Sequence, residues 1–170
     1  AKKDFIIKKA LFLDRDGIIN IDYGHVYKIE DFKFTDFIFD LCKKYQNEGY
    51  ELFVITNQAG IGKKLYTNDD VLKLHAYMIL EFKKQGININ KIYYCPHKPE
   101  DNCNCRKPKP GLFLKAIREN NIDPYQSIAI GDKLSDLEAA NKAGVKTLIY
   151  KKTKYDEYDV NFKYVNLIDL

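Results

Sequence analysis

No run of apolar residues in this chain approaches the roughly 20 that a helix needs to cross a bilayer, which excludes a membrane span. The opening Ala1-Lys2-Lys3-Asp4 places an acidic residue too near any apolar run for a signal peptide, so a cytoplasmic protein is expected. Charge is nearly balanced: 28 Lys plus Arg against 24 Asp plus Glu leave +4. That excess suits an anionic small molecule and is too small to demand a nucleic acid. Cysteines number only four and histidines three. Cys42 stands alone, while Cys95, Cys103 and Cys105 crowd beside His97, a clustering that points to a metal and away from a disulfide framework. The chain also has no internal repeat and no low-complexity tract.

What is present is 170 residues, 45% hydrophobic and 31% charged, which fits one compact domain over 1–170. Short apolar runs at Lys9–Asp14, Tyr50–Thr56, Lys91–Tyr94, Ser127–Ile130 and Lys146–Tyr150 read as buried strands. Between them, Phe34, Ile38, Leu41 and Tyr45 repeat at three- and four-residue steps, as do Val71, Leu74, Met78 and Phe82, so each set marks one face of a helix. Asn68 is expected to cap the second helix and Gly86 to stop it. A third should open at Pro110 and a fourth should follow Gly131-Asp132 and end at Gly144. Strands alternating with helices predict an α/β fold with a doubly wound, mostly parallel sheet, whose ligands bind beyond the strand carboxyl ends. The Tyr-rich tail from Lys151 to Leu170 adds only a short edge strand near Phe162–Leu167.

The polar residues gather at that edge. Asp14-Arg15-Asp16-Gly17 offers two carboxylates two apart after a strand, suited to a nucleophile with a partner acid or to a magnesium site. Gly131-Asp132 through Asp136 supplies two more, spaced to share one face of a helix start. Thr56-Asn57-Gln58 leads into a glycine-containing loop whose N–H groups and hydroxyl can cradle phosphate oxygens. In Arg106-Lys107-Pro108-Lys109-Pro110 the prolines stiffen the backbone and present the cations at defined positions. Cys95, His97, Cys103 and Cys105 are the right number and type of ligand for a closed tetrahedral zinc. His75 reads as structural, and His25 as a surface residue.

Taken together, Leu11-Phe-Leu-Asp-Arg-Asp-Gly-Ile-Ile-Asn20, Ile55-Thr-Asn-Gln-Ala-Gly-Ile61, Cys105-Arg-Lys-Pro-Lys-Pro-Gly111 and Gly131-Asp-Lys-Leu-Ser-Asp136 resemble the haloacid dehalogenase superfamily. More narrowly they resemble its zinc-containing phosphatase branch, with a Rossmann-like fold, a zinc-binding loop and no large cap domain. The resemblance implies Asp14 as nucleophile and Asp16 as acid and base. It implies phosphoryl binding by Thr56, Asn57 and Lys107, and Mg²⁺ held by Asp14, Asp16 and Asp132. Lys133 and Asp136 would support that shell, and Zn²⁺ would be bound by Cys95, His97, Cys103 and Cys105. Ile18 departs from the threonine usual in the first motif, and Lys63-Lys64 from the Arg-Gly common in the second.

Within this branch the expected activity is a magnesium-dependent phosphoric monoester hydrolase that removes the 7-phosphate of a heptose 1,7-bisphosphate, serving lipopolysaccharide or capsule synthesis. Arg106 and Lys109 would recognise the far end of the sugar bisphosphate and Asn20 its hydroxyls. The protein is expected to be a monomer, with neither nucleic acid nor membrane as partner. Histidinol-phosphate phosphatase is the alternative from the same branch. A zinc-stabilised nucleic-acid-binding module is the alternative of another class, and it has no use for Asp14, Asp16, Lys107 and Asp132 together.

Overall fold

The computed structural model of the chain describes residues 6–150 and 164–165. The elements run β1 (Ala10–Leu13), α1 (Ile38–Asn47), β2 (Glu51–Asn57), α2 (Asn68–Lys84), β3 (Ile89–Cys95), α3 (Gly111–Asn120), β4 (Ile128–Gly131), α4 (Leu134–Lys142), β5 (Lys146–Tyr150) and β6 (Tyr164–Val165). Among the described residues the six strands lie in one sheet in the order β3-β2-β1-β4-β5-β6, each neighbouring pair parallel. The chain winds outward from β1 through β2 to β3, then crosses back to β4 and winds the other way. The direction therefore reverses between β1 and β4, and the crevice beyond their carboxyl ends is where such sheets bind ligands. Of the edge strand expected at Phe162–Leu167, Tyr164–Val165 are described and form β6; the rest of the tail lies outside the described residues.

Alternation along β1 builds two cores. Leu11 and Leu13 face α1 and α2, packing with Leu41, Leu74, Met78 and Phe82. Ala10 and Phe12 face α3 and α4, with Phe53, Phe113, Ala116 and Ala140. Phe12 stacks edge-on against Phe113 at 5.2 Å and tilts against Phe53 at 5.7 Å. Both faces of β1 are covered, which is why the run is apolar throughout and why its polar successors fall at the sheet edge. The connection from β1 to α1 contains one short 3₁₀ turn, Ile29–Asp31, and no inserted domain. Among the described residues no helix is long and apolar enough to cross a membrane.

Helix ends differ from the sequence expectation in local detail. Phe34 precedes α1: it forms an antiparallel bridge with Asn20, and Thr35 binds the Ile19 and Ile18 carbonyls through its N–H and hydroxyl, at 2.9 and 2.7 Å. Those bonds hold the segment extended, so the helix begins only at Ile38. Thr67, not Asn68, caps α2. Its hydroxyl accepts from the Asp70 N–H at 3.1 Å while the Asp70 carboxylate accepts from the Thr67 N–H at 2.9 Å, a reciprocal cap worth about 1 kcal/mol. Asp132 lies before α4, and Asp136 caps that helix by accepting from the N–H groups of Lys133 and Asp132 at 3.1 and 3.2 Å.

Candidate active site

Asp14 follows the last residue of β1, and its N–H reaches the Ile130 carbonyl on β4 at 3.1 Å, so its carboxylate stands where the winding reverses. Lys107, on the loop before α3, extends its ammonium to Asp14 Oδ1 at 3.0 Å, Asp136 Oδ1 at 2.5 Å and the Ile55 carbonyl at 2.8 Å. Carboxylate oxygens of Asp14, Asp132 and Asp136 lie within 4.8 Å of one another. Two glycines permit this crowding. A Cβ on Gly17, whose φ is +96°, would come within 2.1 Å of an Asp132 oxygen, and one on Gly131 would meet Asp136 Cβ at 2.4 Å. No other residue fits at either position without moving a carboxylate.

Charge is unbalanced here. Three carboxylates face one ammonium, and both Asp14 and Lys107 are almost fully buried. Burial first, then the neighbouring Asp136, raises the Asp14 carboxyl well above the usual range, although Lys107 opposes the shift. Burial and Asp136 likewise push Asp132 up to about 6. Burial alone would discharge Lys107, but Asp136 and Asp14 outweigh it and hold the ammonium charged. A cluster of hard oxygen donors short of positive charge fits a divalent cation such as Mg²⁺.

Asp16 is held from both sides. Its Oδ1 accepts from Arg15 Nη2 at 2.8 Å, Arg15 Nε at 3.2 Å and Asn20 Nδ2 at 3.0 Å, and its Oδ2 from Gln58 Nε2 at 3.1 Å. Burial would raise this carboxyl; the Arg15 charge and the bonds from Asn20, Arg15 and Gln58 more than reverse that and keep it low. A carboxylate only accepts, so the Gln58 amide nitrogen must face Asp16, leaving Oε1 for the Tyr66 hydroxyl at 2.7 Å. Asn20 corrects the sequence expectation: with 0% exposure it orients Asp16 and presents nothing to a sugar. Arg15 and Gln58 touch Asp16, and His75 touches Arg15, contacts that the motifs did not single out. A cation placed between two strand-end acids was the available signal for Arg15, since alternation turns it into the core.

Other expected site residues divide. Thr56 is 1% exposed, and its hydroxyl accepts from Gln58 at 3.0 Å beside the Asp14 crevice. Asn57 does not face a phosphoryl site with its side chain; the amide clasps the Lys107 backbone, accepting from its N–H at 3.1 Å and donating to its carbonyl at 3.3 Å. The Lys109 ammonium donates to the Cys103 carbonyl at 2.9 Å, bracing the cysteine loop. Lys133 supports the cluster through its backbone N–H on Asp136, while its exposed ammonium stands 3.9 Å from Asp22. Arg106 keeps a buried Nη1 with no hydrogen-bond partner. His25 lies on the exposed loop after β1, with φ +48°, and 6.4 Å from the Tyr66 ring.

The cysteine loop converges as the spacing suggested. Cys95 Sγ lies 2.9 Å from Cys105 Sγ, 3.5 Å from Cys103 Sγ and 3.4 Å from His97 Nδ1, and His97 Nδ1 lies 3.2 Å from Cys105 Sγ. A tetrahedral zinc with bonds of about 2.3 Å needs ligand separations of roughly 3.7 Å, so three sulfurs and one nitrogen already stand close to that shape. Burial alone would raise the Cys103 thiol, but the Arg106 N–H and the other thiols bring it down to about 6, toward the thiolate that zinc requires. The loop ends at Arg106-Lys107, so whatever orders the cysteines also sets where those two cations point.

Known phosphatases resemble this chain over most of its length. The HAD-hydrolase-like family model matches residues 104–166. A D-glycero-alpha-D-manno-heptose-1,7-bisphosphate 7-phosphatase of Campylobacter jejuni is 50% identical over 162 residues, covering 95% of this chain and 93% of the relative. A D-glycero-beta-D-manno-heptose-1,7-bisphosphate 7-phosphatase of Helicobacter pylori is 52% identical over 139 residues, covering 81% and 80%. Among solved structures, the D,D-heptose 1,7-bisphosphate phosphatase of B. bronchiseptica, complexed with magnesium and phosphate, superposes with a TM-score of 0.84 at 27% identity, covering 92% of each chain. By this likeness over nearly its whole length, the chain belongs to the heptose 1,7-bisphosphate 7-phosphatase family of HAD-like hydrolases, a family of phosphoric monoester hydrolases.

Proposed function

We propose that this protein removes the 7-phosphate of D-glycero-D-manno-heptose 1,7-bisphosphate through a phosphorylated Asp14. The observation that carries the chemistry is the Asp14 carboxylate at the reversal point of the sheet, 3.0 Å from the buried Lys107 ammonium. The substrate rests on the names of the relatives, which favour a heptose bisphosphate over histidinol phosphate and divide between the two anomers. In the first step Asp16, ionised in the resting site, takes up a proton from solvent or from the incoming phosphate monoester and passes it to the sugar oxygen as the bond from phosphorus to that oxygen breaks and an Asp14 oxygen bonds to phosphorus. In the second, the Asp16 carboxylate takes a proton from the water that attacks phosphorus, freeing Asp14 and inorganic phosphate. Lys107 and the Thr56 hydroxyl hold phosphoryl oxygens.

Mg²⁺ would be held by the Asp14 and Asp132 carboxylates and the Asp16 backbone carbonyl, with Asp136 orienting Asp132. When bound it supplies the positive charge that lets a carboxylate approach a phosphate dianion. Zn²⁺ would fill the closed site of Cys95, His97, Cys103 and Cys105 and fix the loop carrying Arg106 and Lys107. Elemental analysis of the purified protein should then find about one zinc per chain, lost in a Cys103→Ser/Cys105→Ser variant. Saturating MgCl₂ should raise Tm by about 5 °C or more, and Asp132→Asn should abolish the shift. A zinc-free protein of unchanged stability, or equal Mg²⁺ shifts in both proteins, would refute these assignments.

Arg106 supports recognition of a second phosphate. The residue is partly exposed beside Lys107, its Nη1 has no hydrogen-bond partner, and the fork of a guanidinium matches a phosphate in two places. Turnover of both heptose bisphosphate anomers should exceed that of histidinol phosphate. Arg106→Ala should lower kcat/KM for the bisphosphate by about one to two orders of magnitude, roughly 1.4 to 2.7 kcal/mol, with a far smaller effect on an aryl phosphate. A preference for histidinol phosphate, or an equal loss on every ester, would overturn this recognition.

A further inference from the structure

Arg15 is the bulkiest of the fully buried side chains, a complete cation in the core behind the catalytic edge. Burying a guanidinium costs several kcal/mol unless its N–H groups find acceptors. Nε and Nη2 donate to Asp16 Oδ1 at 3.2 and 2.8 Å, Nη2 also donates to the Val26 carbonyl at 2.7 Å, and Nη1 faces His75 Nε2 at 3.2 Å. A guanidinium has no acceptor, so Nε2 must accept and the imidazole must be neutral, with its proton on Nδ1. His75 reaches this point from the middle of α2, where its ring packs edge-on against Tyr94 of β3 at 5.6 Å. An apolar side chain would pack there equally well, and only Arg15 has use for the acceptor.

We infer that Arg15 and His75 are a positioning pair for Asp16: His75 locks the plane of the guanidinium, and the guanidinium locks Asp16 Oδ1. Asp16 Oδ1 and the Val26 carbonyl hold the guanidinium at Nε and Nη2, and the contact at Nη1 holds its remaining nitrogen. Gln58 fixes the other oxygen, so the carboxylate is located at both ends. An acid that must meet a leaving oxygen tolerates a misplacement of only about half an ångström, which is what such a rigid backing provides. The inference rests on the proposed role of Asp16 as the proton donor to that oxygen.

The test compares phenyl phosphate, whose leaving phenolate needs a proton, with 2,4-dinitrophenyl phosphate, whose leaving group does not. His75→Phe keeps the packing against Tyr94 and removes the acceptor. It should lower kcat for phenyl phosphate about tenfold or more and for the dinitrophenyl ester less than about threefold, with KM little changed. His75→Gln, whose amide oxygen reaches the place of Nε2, should stay within about threefold of the wild type on both esters. If the Phe variant does not fold, Arg15→Lys answers the same question, since an ammonium keeps the charge but cannot span Asp16 and His75 in one plane; it should show the same selective loss. Wild-type behaviour of the folded variant, or equal losses on the two esters, overturns the positioning pair while leaving the phosphatase reading intact. A wild-type protein that releases phosphate from neither ester nor from heptose 1,7-bisphosphate overturns that reading and this inference with it.

Discussion

Asp14→Asn is expected to lower phosphate release from every ester by about four orders of magnitude or more, equivalent to at least about 5.4 kcal/mol of transition-state stabilisation. The amide keeps the size of the carboxylate and removes the proposed nucleophile, so the proposed covalent route is lost while the other side chains stay in place. Stability should move the other way. Asp14 is buried among Asp136, Asp132 and Asp16, each of which disfavours its charge, so the neutral amide relieves repulsion even as Lys107 loses one partner. Tm is expected to be unchanged or higher. Rapid quenching and intact-mass measurement should find a phosphate adduct on the wild type and none on the variant. Retention of more than about one per cent of kcat would reject Asp14 as nucleophile.

Lys107→Met should be the most damaging single change to stability and activity together. Methionine fills the path of the lysine stem but leaves Asp14 and Asp136, both nearly buried, without their shared cation. Removing one partner from a buried ionic cluster costs about 3 to 5 kcal/mol, which for a domain of this size is a fall in Tm of about 10 °C or more. The loss of phosphoryl binding should reduce kcat about a thousandfold. Combining Lys107→Met with Asp14→Asn should restore part of the lost Tm and none of the activity, because the two residues share one electrostatic interaction. Saturating inorganic phosphate should stabilise the wild type and not Lys107→Met. A Tm within about 3 °C of the wild type would show that Asp14 and Asp136 do not depend on this lysine.

The motifs legible in the sequence are those whose geometry is local. An apolar run that ends in Asp14, or in Gly131-Asp132, announces a buried strand delivering an acid at its carboxyl end, because strand direction and side-chain alternation are set within a few residues. Cys95 and His97, like Cys103 and Cys105, are close enough along the chain for their spacing alone to suggest one metal site. What the sequence leaves open is how a polar side chain is used. Lys109 and Asn57 have the right chemistry for a phosphate, yet Lys109 braces the Cys103 carbonyl and Asn57 the Lys107 backbone. Nothing in a local pattern distinguishes a donor aimed at substrate from one aimed at a carbonyl.

By itself, then, the order of the strands' apolar runs determined a doubly wound sheet, and the ordered motifs after them, at one edge, carried a resemblance to a phosphatase family. Tertiary structure alone decided which groups share that edge: Lys107 meets Asp14 across 93 residues of sequence, and Arg15 meets His75 across 60. It also decided that Asn20 faces Asp16 and that Arg106 keeps a donor unanswered. The reason is physical. A strand or a helix turn is specified by bonds a few residues apart, whereas a buried polar group takes its partner from whichever element packs against it. That choice is made only when the sheet closes, and the cost of leaving such a group unpaired enforces it.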